Sequence, residues 1–140
     1  MTIPRWIRFQ NYYQSLYDKI RFLNLLKQEA IFLWELISDE GNGDIGAVAI
    51  GFLAVPVDEA YITVYLDRWD ETSERWRQVT YYDAEYYAKD YPEGLDTPTV
   101  NITFKKQEKG YYYRLRGVFG AVYNGKFEGF SPVTAGILIE

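Results

Sequence analysis

The chain has 140 residues, a formal net charge of −5, and neither cysteine nor histidine. These absences exclude disulfides, thiol nucleophiles and Ser-His-Asp or Cys-His catalysis, and they remove the commonest transition-metal ligands. An acidic chain gains nothing from releasing the counterions of a phosphate backbone, so nucleic-acid binding is disfavoured. We therefore expect no enzymatic activity, cofactor, metal or nucleic acid.

The first 40 residues carry a helical pattern. Gly and Pro are absent from residues 5–40, and apolar residues recur at alternating spacings of four and three. This period predicts a long amphipathic helix over residues 1–40 that ends at the glycines of "SDEGNGD" (38–44). The partner-binding residues of this helix would be Leu16, Ile20, Leu23, Ala30, Trp34 and Ile37.

Several roles for this helix stay open. It could pack on its own domain, mediate self-association or docking, or lie at a membrane surface, since aromatic residues and Arg flank it. The stretch "AIFLWELI" (30–37) could instead be a strand that pairs with "IGAVAIGFLAVP" (45–56) across the Gly-rich loop.

The sequence leaves the cellular location undecided. The opening "MTIPRWIRFQ" lacks the continuous apolar run of a signal peptide. The most apolar stretches, residues 30–37 and 45–55, are too short to span a bilayer. We expect no membrane contact beyond the surface helix considered above.

Beyond residue 44 the apolar period changes to two. Residues 60–69 and 99–106 alternate cleanly between apolar and polar side chains, as half-buried antiparallel strands do. Residues 75–82 form a further predicted strand. Residues 111–123 and 130–139 form a hairpin around Asn124-Gly125, the preferred pair for a type I′ turn. About six strands over 41–140 predict a β-sandwich domain.

The closing hairpin resembles a known family. "GYYYRLRGVFG" followed by "NGKFEGFSPV" is similar to the last two strands of a fibronectin type III domain, an immunoglobulin-like β-sandwich. The resemblance implies that Tyr111 is the tyrosine-corner residue, with its hydroxyl bonded back to the loop near "QEKG". The predicted fold is therefore mainly β: an antiparallel immunoglobulin/fibronectin-III-like sandwich preceded by a long α-helix.

Residues 45–140 also resemble a group of small, mostly exported Firmicute proteins of unknown function. The likeness rests on the order "YITVYLDRW", "RWRQVTYY", "NITF" and "GYYYRLRG". The chain departs from that group at its N-terminus, where the predicted helix replaces an export signal.

Two clusters outside the helix are candidate sites. The acids of "LDRWDETSE" (66–74) could bind Ca²⁺, but the EF-hand spacing is absent and two arginines lie beside them, which favours a solvated turn. Exposed Tyr and Trp stack on sugars or anchor protein partners, although they could also pack beneath their own loop. The candidate ligand-binding aromatic residues are Trp69, Trp76, Tyr82, Tyr86, Tyr87 and Tyr91.

The sequence therefore predicts a non-enzymatic structural, assembly or protein-binding module. The N-terminal helix would bind a protein partner, and we expect a homo-oligomer. An extracellular or viral particle is one setting that fits this shape. The alternative is a carbohydrate-binding sandwich that uses its exposed Trp and Tyr.

Overall fold

The computed structural model describes residues 31–140. Their regular structure consists of eight β-strands and one short 3₁₀ turn, Ala88–Asp90. The strands are β1 (Ile31–Gly41), β2 (Asp44–Leu53), β3 (Glu59–Asp70), β4 (Arg75–Tyr87), β5 (Thr99–Phe104), β6 (Tyr111–Tyr123), β7 (Lys126–Phe130) and β8 (Ile137–Ile139).

The strands form two antiparallel sheets that pack face to face. The three-stranded sheet has the order β1-β2-β5, and the five-stranded sheet has the order β4-β3-β6-β7, with β8 paired to the first residues of β6. All the strand pairs are antiparallel. The prediction of a mainly β sandwich is confirmed at this level.

The helix prediction is wrong for residues 31–40, which belong to β1. This strand pairs with β2 in the register Trp34↔Ile50 and Ile37↔Ala47, so the strand alternative is correct. The connection is a two-residue turn at Asn42-Gly43, both with positive φ, as a type I′ turn requires. The sandwich therefore includes residues 31–40, which the predicted boundary placed in the helix.

The two described residues of the predicted helical contact surface lie in a strand and do not share a face. Leu16, Ile20, Leu23 and Ala30 lie outside the described residues. Trp34 and Ile37 are three positions apart in β1, so they point to opposite faces of a sheet. They cannot share one contact surface.

The hydrophobic core lies between the two sheets. Small inward residues of each sheet lie opposite large residues of the other, so the layers interdigitate. A Cβ built on Gly51 would lie 2.5 Å from the ring of Phe119, and one on Gly117 would lie 2.6 Å from Leu33. The buried residues of the core include Leu33, Ile45, Ala47, Ala49, Ile62, Val64, Leu66, Val100, Tyr113, Leu115, Phe119 and Ile139.

The closing hairpin has the predicted turn but a different tyrosine corner. Asn124 and Gly125 have positive φ, and Tyr123 pairs with Lys126 across the turn. The fully buried Tyr113 donates its hydroxyl to the Glu108 carbonyl at 2.6 Å. Tyr111, the predicted corner, is 37% exposed and lies beneath the guanidinium of Arg68. The corner residue is therefore Tyr113.

Candidate functional site: the outer face of the five-stranded sheet

The outer face of the five-stranded sheet brings aromatic and arginine side chains together. We call this surface the arginine–aromatic face. It includes Glu59, Tyr61, Thr63, Tyr65, Asp67, Trp69, Trp76, Gln78, Tyr81, Asp83, Glu85, Tyr87, Tyr112, Arg114, Arg116, Val118, Phe127, Val133 and Leu138.

A buried carboxylate anchors the centre of this face. Asp67 is 2% exposed although its side chain points away from the core. Its Oδ2 accepts from Nε of Arg114 and from Nε of Arg116, both at 3.1 Å. The Arg116 guanidinium also donates to Asp67 Oδ1 at 3.3 Å and to Gln78 Oε1 at 3.1 Å. Two arginines on β6 are thus fixed by one acid on β3.

The same two guanidinium groups lie over aromatic rings. Arg114 Cζ is 4.6 Å from the ring centroid of Trp76, and Arg116 Cζ is 4.1 Å from that of Tyr65. These distances are those of cation–π contacts. Trp69 meets Trp76 edge to face at 5.5 Å, and Tyr65 lies 6.0 Å from Tyr81. The result is a continuous, rigid row of rings and guanidinium groups across β4, β3 and β6.

The far end of the face is acidic. Tyr61 donates its hydroxyl to Glu59 at 2.5 Å, Tyr87 donates to Glu85 at 2.7 Å, and Thr63 donates to Asp83 at 2.6 Å. The hydrogen bonds to carboxylates raise the pKa of Tyr61 and of Tyr87 above the ordinary value. The face is therefore polarised along β3, with arginines towards one end and carboxylates towards the other.

Apolar exposure is concentrated on this face. Twelve large hydrophobic side chains are exposed among residues 31–140. Six of them project from the arginine–aromatic face: Tyr81, Tyr112, Val118, Phe127, Val133 and Leu138.

The six aromatic residues predicted as ligand-binding do not form one surface. Trp69, Trp76 and Tyr87 lie on the arginine–aromatic face, whereas Tyr82 and Tyr86 point to the opposite side of β4. Tyr86 is partly buried against the core and donates its hydroxyl to the Thr99 carbonyl at 2.8 Å. Burial raises the pKa of Tyr86 to about 12.

Tyr91 also lies away from the arginine–aromatic face. Its ring centroid is 6.3 Å from that of Tyr86. Tyr86 and Tyr91 thus contact each other, and Tyr91 stays 37% exposed.

A bulge in β4 explains the split. Leu66 pairs with Thr80 and Asp67 with Gln78, which leaves Val79 as an extra residue. Even-numbered residues such as Trp76 and Gln78 therefore point outward before the bulge. Odd-numbered residues such as Tyr81 and Tyr87 point outward after it. Strict alternation from the sequence places part of this strand on the wrong side.

A polar cleft of about 580 Å³ lies at one end of the sandwich, between the β3–β4 turn and the β5–β6 loop. Its arginines are already paired: Arg68 with Glu108 at 3.0 Å and Arg77 with Asp70 at 2.6 Å. The hydrogen bond from Arg77 lowers the pKa of Asp70 to about 2. These pairings leave the cleft without a free arginine for an anion.

The acidic turn does not present a cation site. Asp67 binds two arginines and Asp70 binds a third. Among residues 31–140, no group of three Asp, Glu, His or Cys side chains is placed to hold a metal ion. Nor does the described part of the chain contain a helix long and apolar enough to cross a membrane.

Comparisons with known proteins leave the site to be interpreted from its own geometry. No family model matches the chain. No curated protein matches it either.

Proposed function

We propose that this protein is a non-enzymatic assembly module that binds a protein partner through the arginine–aromatic face. One observation carries the proposal: half of the exposed large hydrophobic side chains of residues 31–140 lie on this face, around two fixed arginines. Aromatic residues and Arg are the types enriched at protein interfaces and at their energetic centres.

The rigidity of the face favours binding. Asp67 holds Arg114 and Arg116 against Trp76 and Tyr65 before any partner arrives. Side chains that are already ordered lose little conformational entropy on association, so more of the contact energy appears as affinity.

Charge complementarity favours a second copy of this chain as the partner. Asp67, Arg114 and Arg116 together carry one net positive charge, since two cations meet one anion. The other end carries the carboxylates of Glu59, Asp83 and Glu85. When two such faces stack about a two-fold axis with their β3 strands antiparallel, each arginine end lies over the partner's acidic end. The homo-oligomer expected from the sequence would form through the N-terminal helix, whereas here the two copies would meet through the arginine–aromatic face.

The fold assignment within the β-sandwich class is part of the proposal. The three-stranded sheet β1-β2-β5 facing β4-β3-β6-β7, together with a tyrosine corner at Tyr113, supports an immunoglobulin/fibronectin-III-like sandwich. Such domains commonly serve as binding and structural modules, so the fold is compatible with assembly without specifying it.

Sedimentation equilibrium on the full chain tests the function. Val118→Arg places a charge near the middle of the arginine–aromatic face, and Val55→Arg is the matched control in the β2–β3 loop, with valines 41% and 46% exposed. We expect concentration-dependent dimers for the wild type and Val55→Arg, and at least a tenfold weaker dimer for Val118→Arg. A wild type that stays monomeric at every concentration, or equal dimerisation of both variants, would overturn the proposal.

Carbohydrate binding is the weaker candidate. A sugar platform needs open, roughly coplanar rings, whereas Trp69 and Trp76 meet at 66° and Arg114 occupies one face of Trp76. The observation in favour is that Trp69 also lines the polar cleft. A polysaccharide retention assay decides between them: retention by the wild type that is lost in Trp69→Ala would favour the sugar site.

A further inference from the structure

The outer face of β1 and β2 is apolar. Residues on these two strands that point away from the core form what we call the apolar face, made of Phe32, Trp34, Leu36, Val48, Ile50 and Phe52. Cross-strand pairs such as Phe32↔Phe52 and Trp34↔Ile50 place these side chains beside one another. The alternate positions, including Leu33, Ala47, Ala49 and Gly51, face the core instead.

Two side chains of the apolar face are buried although they point outward. Phe52 is 1% exposed and Ile50 is 4% exposed, and neither belongs to the core cluster between the sheets. An outward side chain of a sheet layer has solvent above it unless another segment covers it. Phe130 of β7 meets Phe32 at the edge of this face, with ring centroids 5.2 Å apart, and the burial of Ile50 further along the strand calls for a covering layer.

We infer that residues 1–30 of the same chain form this layer and cover the apolar face. The segment joins the sheet at Ile31, which pairs with Leu53, so it leaves the sheet at the end where Phe32 and Phe52 lie. Because it is tethered there, its effective concentration at the face far exceeds that of a second molecule.

The segment also has the length and pattern that this face requires. Its apolar residues Phe9, Tyr13, Leu16, Ile20 and Leu23 recur at helical spacing. A helix over residues 9–30 would span about 33 Å at 1.5 Å per residue. The 11 residues of β1 span about 36 Å at 3.3 Å per residue. One amphipathic segment that reverses at residue 30 is long enough to run along the whole strand.

This inference gives residues 1–30 a contact within the chain. The predicted docking surface of the N-terminal segment would then be used against its own sandwich, through Leu16, Ile20 and Leu23. The arginine–aromatic face on the opposite sheet is left for contacts between molecules.

The absence of cysteine from the chain makes disulfide trapping the direct test. In the full-length protein, Val48→Cys on the apolar face is combined in turn with Leu16→Cys, Ile20→Cys or Leu23→Cys. The matched controls combine the same three cysteines with Val118→Cys on the opposite sheet. Each variant is oxidised at low concentration and analysed by non-reducing electrophoresis and peptide mapping.

We expect a disulfide within one chain for at least one of the Val48→Cys pairs and for none of the Val118→Cys pairs. Disulfides only between two chains would show that a second copy occupies the face, and would overturn the inference. Absence of any disulfide, or equal yields from the two sets, would also overturn it.

A second anchor guards against a folding defect at Val48. Asn101 lies opposite Val48 on β5, points outward and is exposed, so Asn101→Cys leaves all six side chains of the apolar face intact. Circular dichroism confirms the fold of each variant before oxidation. The Asn101→Cys series is expected to give the same intramolecular product, and its failure in folded protein would contradict the inference.

Discussion

Side chains alternate between inward and outward positions on both sheets of this sandwich, but the outward side chains of the two sheets differ in chemistry and in exposure. On β1 and β2 the outward residues of the apolar face are aliphatic and aromatic, and Phe52 and Ile50 are buried. On the five-stranded sheet the outward residues are aromatic rings interleaved with arginines and acids, and Phe127 is 67% exposed. The first face is buried like a core at Phe52 and Ile50, and we propose that the second binds a partner.

The difference shows how polar partners permit aromatic exposure. Four rings of the arginine–aromatic face have a polar neighbour: Trp76 and Tyr65 lie against guanidinium groups, and Tyr61 and Tyr87 donate their hydroxyls to carboxylates. On the apolar face, no charged side chain lies among residues 48–52 of β2. The one charged residue among residues 32–36 of β1 is Glu35, which points inward. Uninterrupted apolar surface of this kind is stable only when it is covered.

Replacing one phenylalanine on each face compares how much burial stabilises the two faces, and Phe52 is expected to give the greatest loss of stability. Phe52→Ala removes a fully buried ring and should lower the free energy of unfolding by about 3 kcal/mol or more. Phe127→Ala removes an exposed ring and should change it by less than about 0.5 kcal/mol. Urea unfolding of the full chain measures both. Equal losses in the two variants would show that the faces do not differ in burial.

Mutation of Asp67, which anchors the arginine–aromatic face, is expected to have the next largest effect on stability. Asp67→Asn leaves Arg114 and Arg116 side by side without their shared anion, and should cost about 2–3 kcal/mol, less than for a wholly buried pair because both arginines are partly exposed. Asp70→Asn is the control, since Asp70 lies in the exposed turn and binds one arginine. Chemical denaturation is expected to rank Asp67→Asn well below Asp70→Asn in stability, and the reverse ranking would refute the anchoring role.

Between the two sheets, Glu35 gives a pH-dependent effect of similar or smaller size. Neither of its buried carboxylate oxygens has a hydrogen-bond partner within residues 31–140. Burial raises its pKa from 4.5 to about 7, only partly offset by the backbone of Gly117. The folded state then holds the proton more tightly than the unfolded state, so this group's contribution to stability is lost as pH rises from about 4.5 through about 7.

Glu35→Gln removes that titration and keeps the side-chain shape. Relative to this variant, the wild type should lose about 2 kcal/mol of unfolding free energy between pH 4.5 and pH 7.5. Denaturation series at several pH values measure the difference. Parallel stability curves for the two proteins would show that Glu35 does not titrate in this range.

The smallest effect concerns the tyrosine corner that closes the exposed sheet. Tyr113→Phe removes the hydroxyl that bonds the Glu108 carbonyl, which should cost about 1 kcal/mol. Tyr111→Phe serves as the control and should be nearly neutral, because Tyr111 is partly exposed. Thermal unfolding compares the stability of the two variants. A larger loss of stability for Tyr111→Phe would show that Tyr111, as the sequence predicted, is the corner residue.

Much of the fold follows from the sequence because strands with one buried face alternate. Residues 60–69, 99–106 and 111–123 fall within or across β3, β5 and β6, and the Asn-Gly turn is where its chemistry places it. The first strand was placed in the helix, with a strand over residues 30–37 kept only as an alternative, because both its faces are apolar. A strand buried on both sides has no period of two, and its residues 31–37 also continue a helical spacing from upstream.

The candidate site was harder to predict because it depends on pairing across strands. The bulge at Val79 reverses the side of every later residue in β4, and no local signal in "RQVTYY" marks it. In the sequence, Asp67 is one of several acids near a charged turn. The two arginines that bind it, Arg114 and Arg116, are 47 and 49 residues further along the chain. Arg114 and Arg116 alternate with Tyr113 and Leu115 in the sequence, and this alternation is the one local sign that both arginines point outward.

We propose that one outer face is covered within a single molecule and that the other is used between molecules. Hydroxyl-radical footprinting of the full chain, in dilute and in concentrated solution, measures side-chain accessibility on both faces at once. We predict that Phe52 is protected at both concentrations, while Tyr81, Tyr112 and Phe127 react in dilute solution and become protected when the protein is concentrated. Reactive Phe52 in the dilute monomer, or unchanged reactivity of the three exposed rings in a sample shown to be dimeric, would contradict the account.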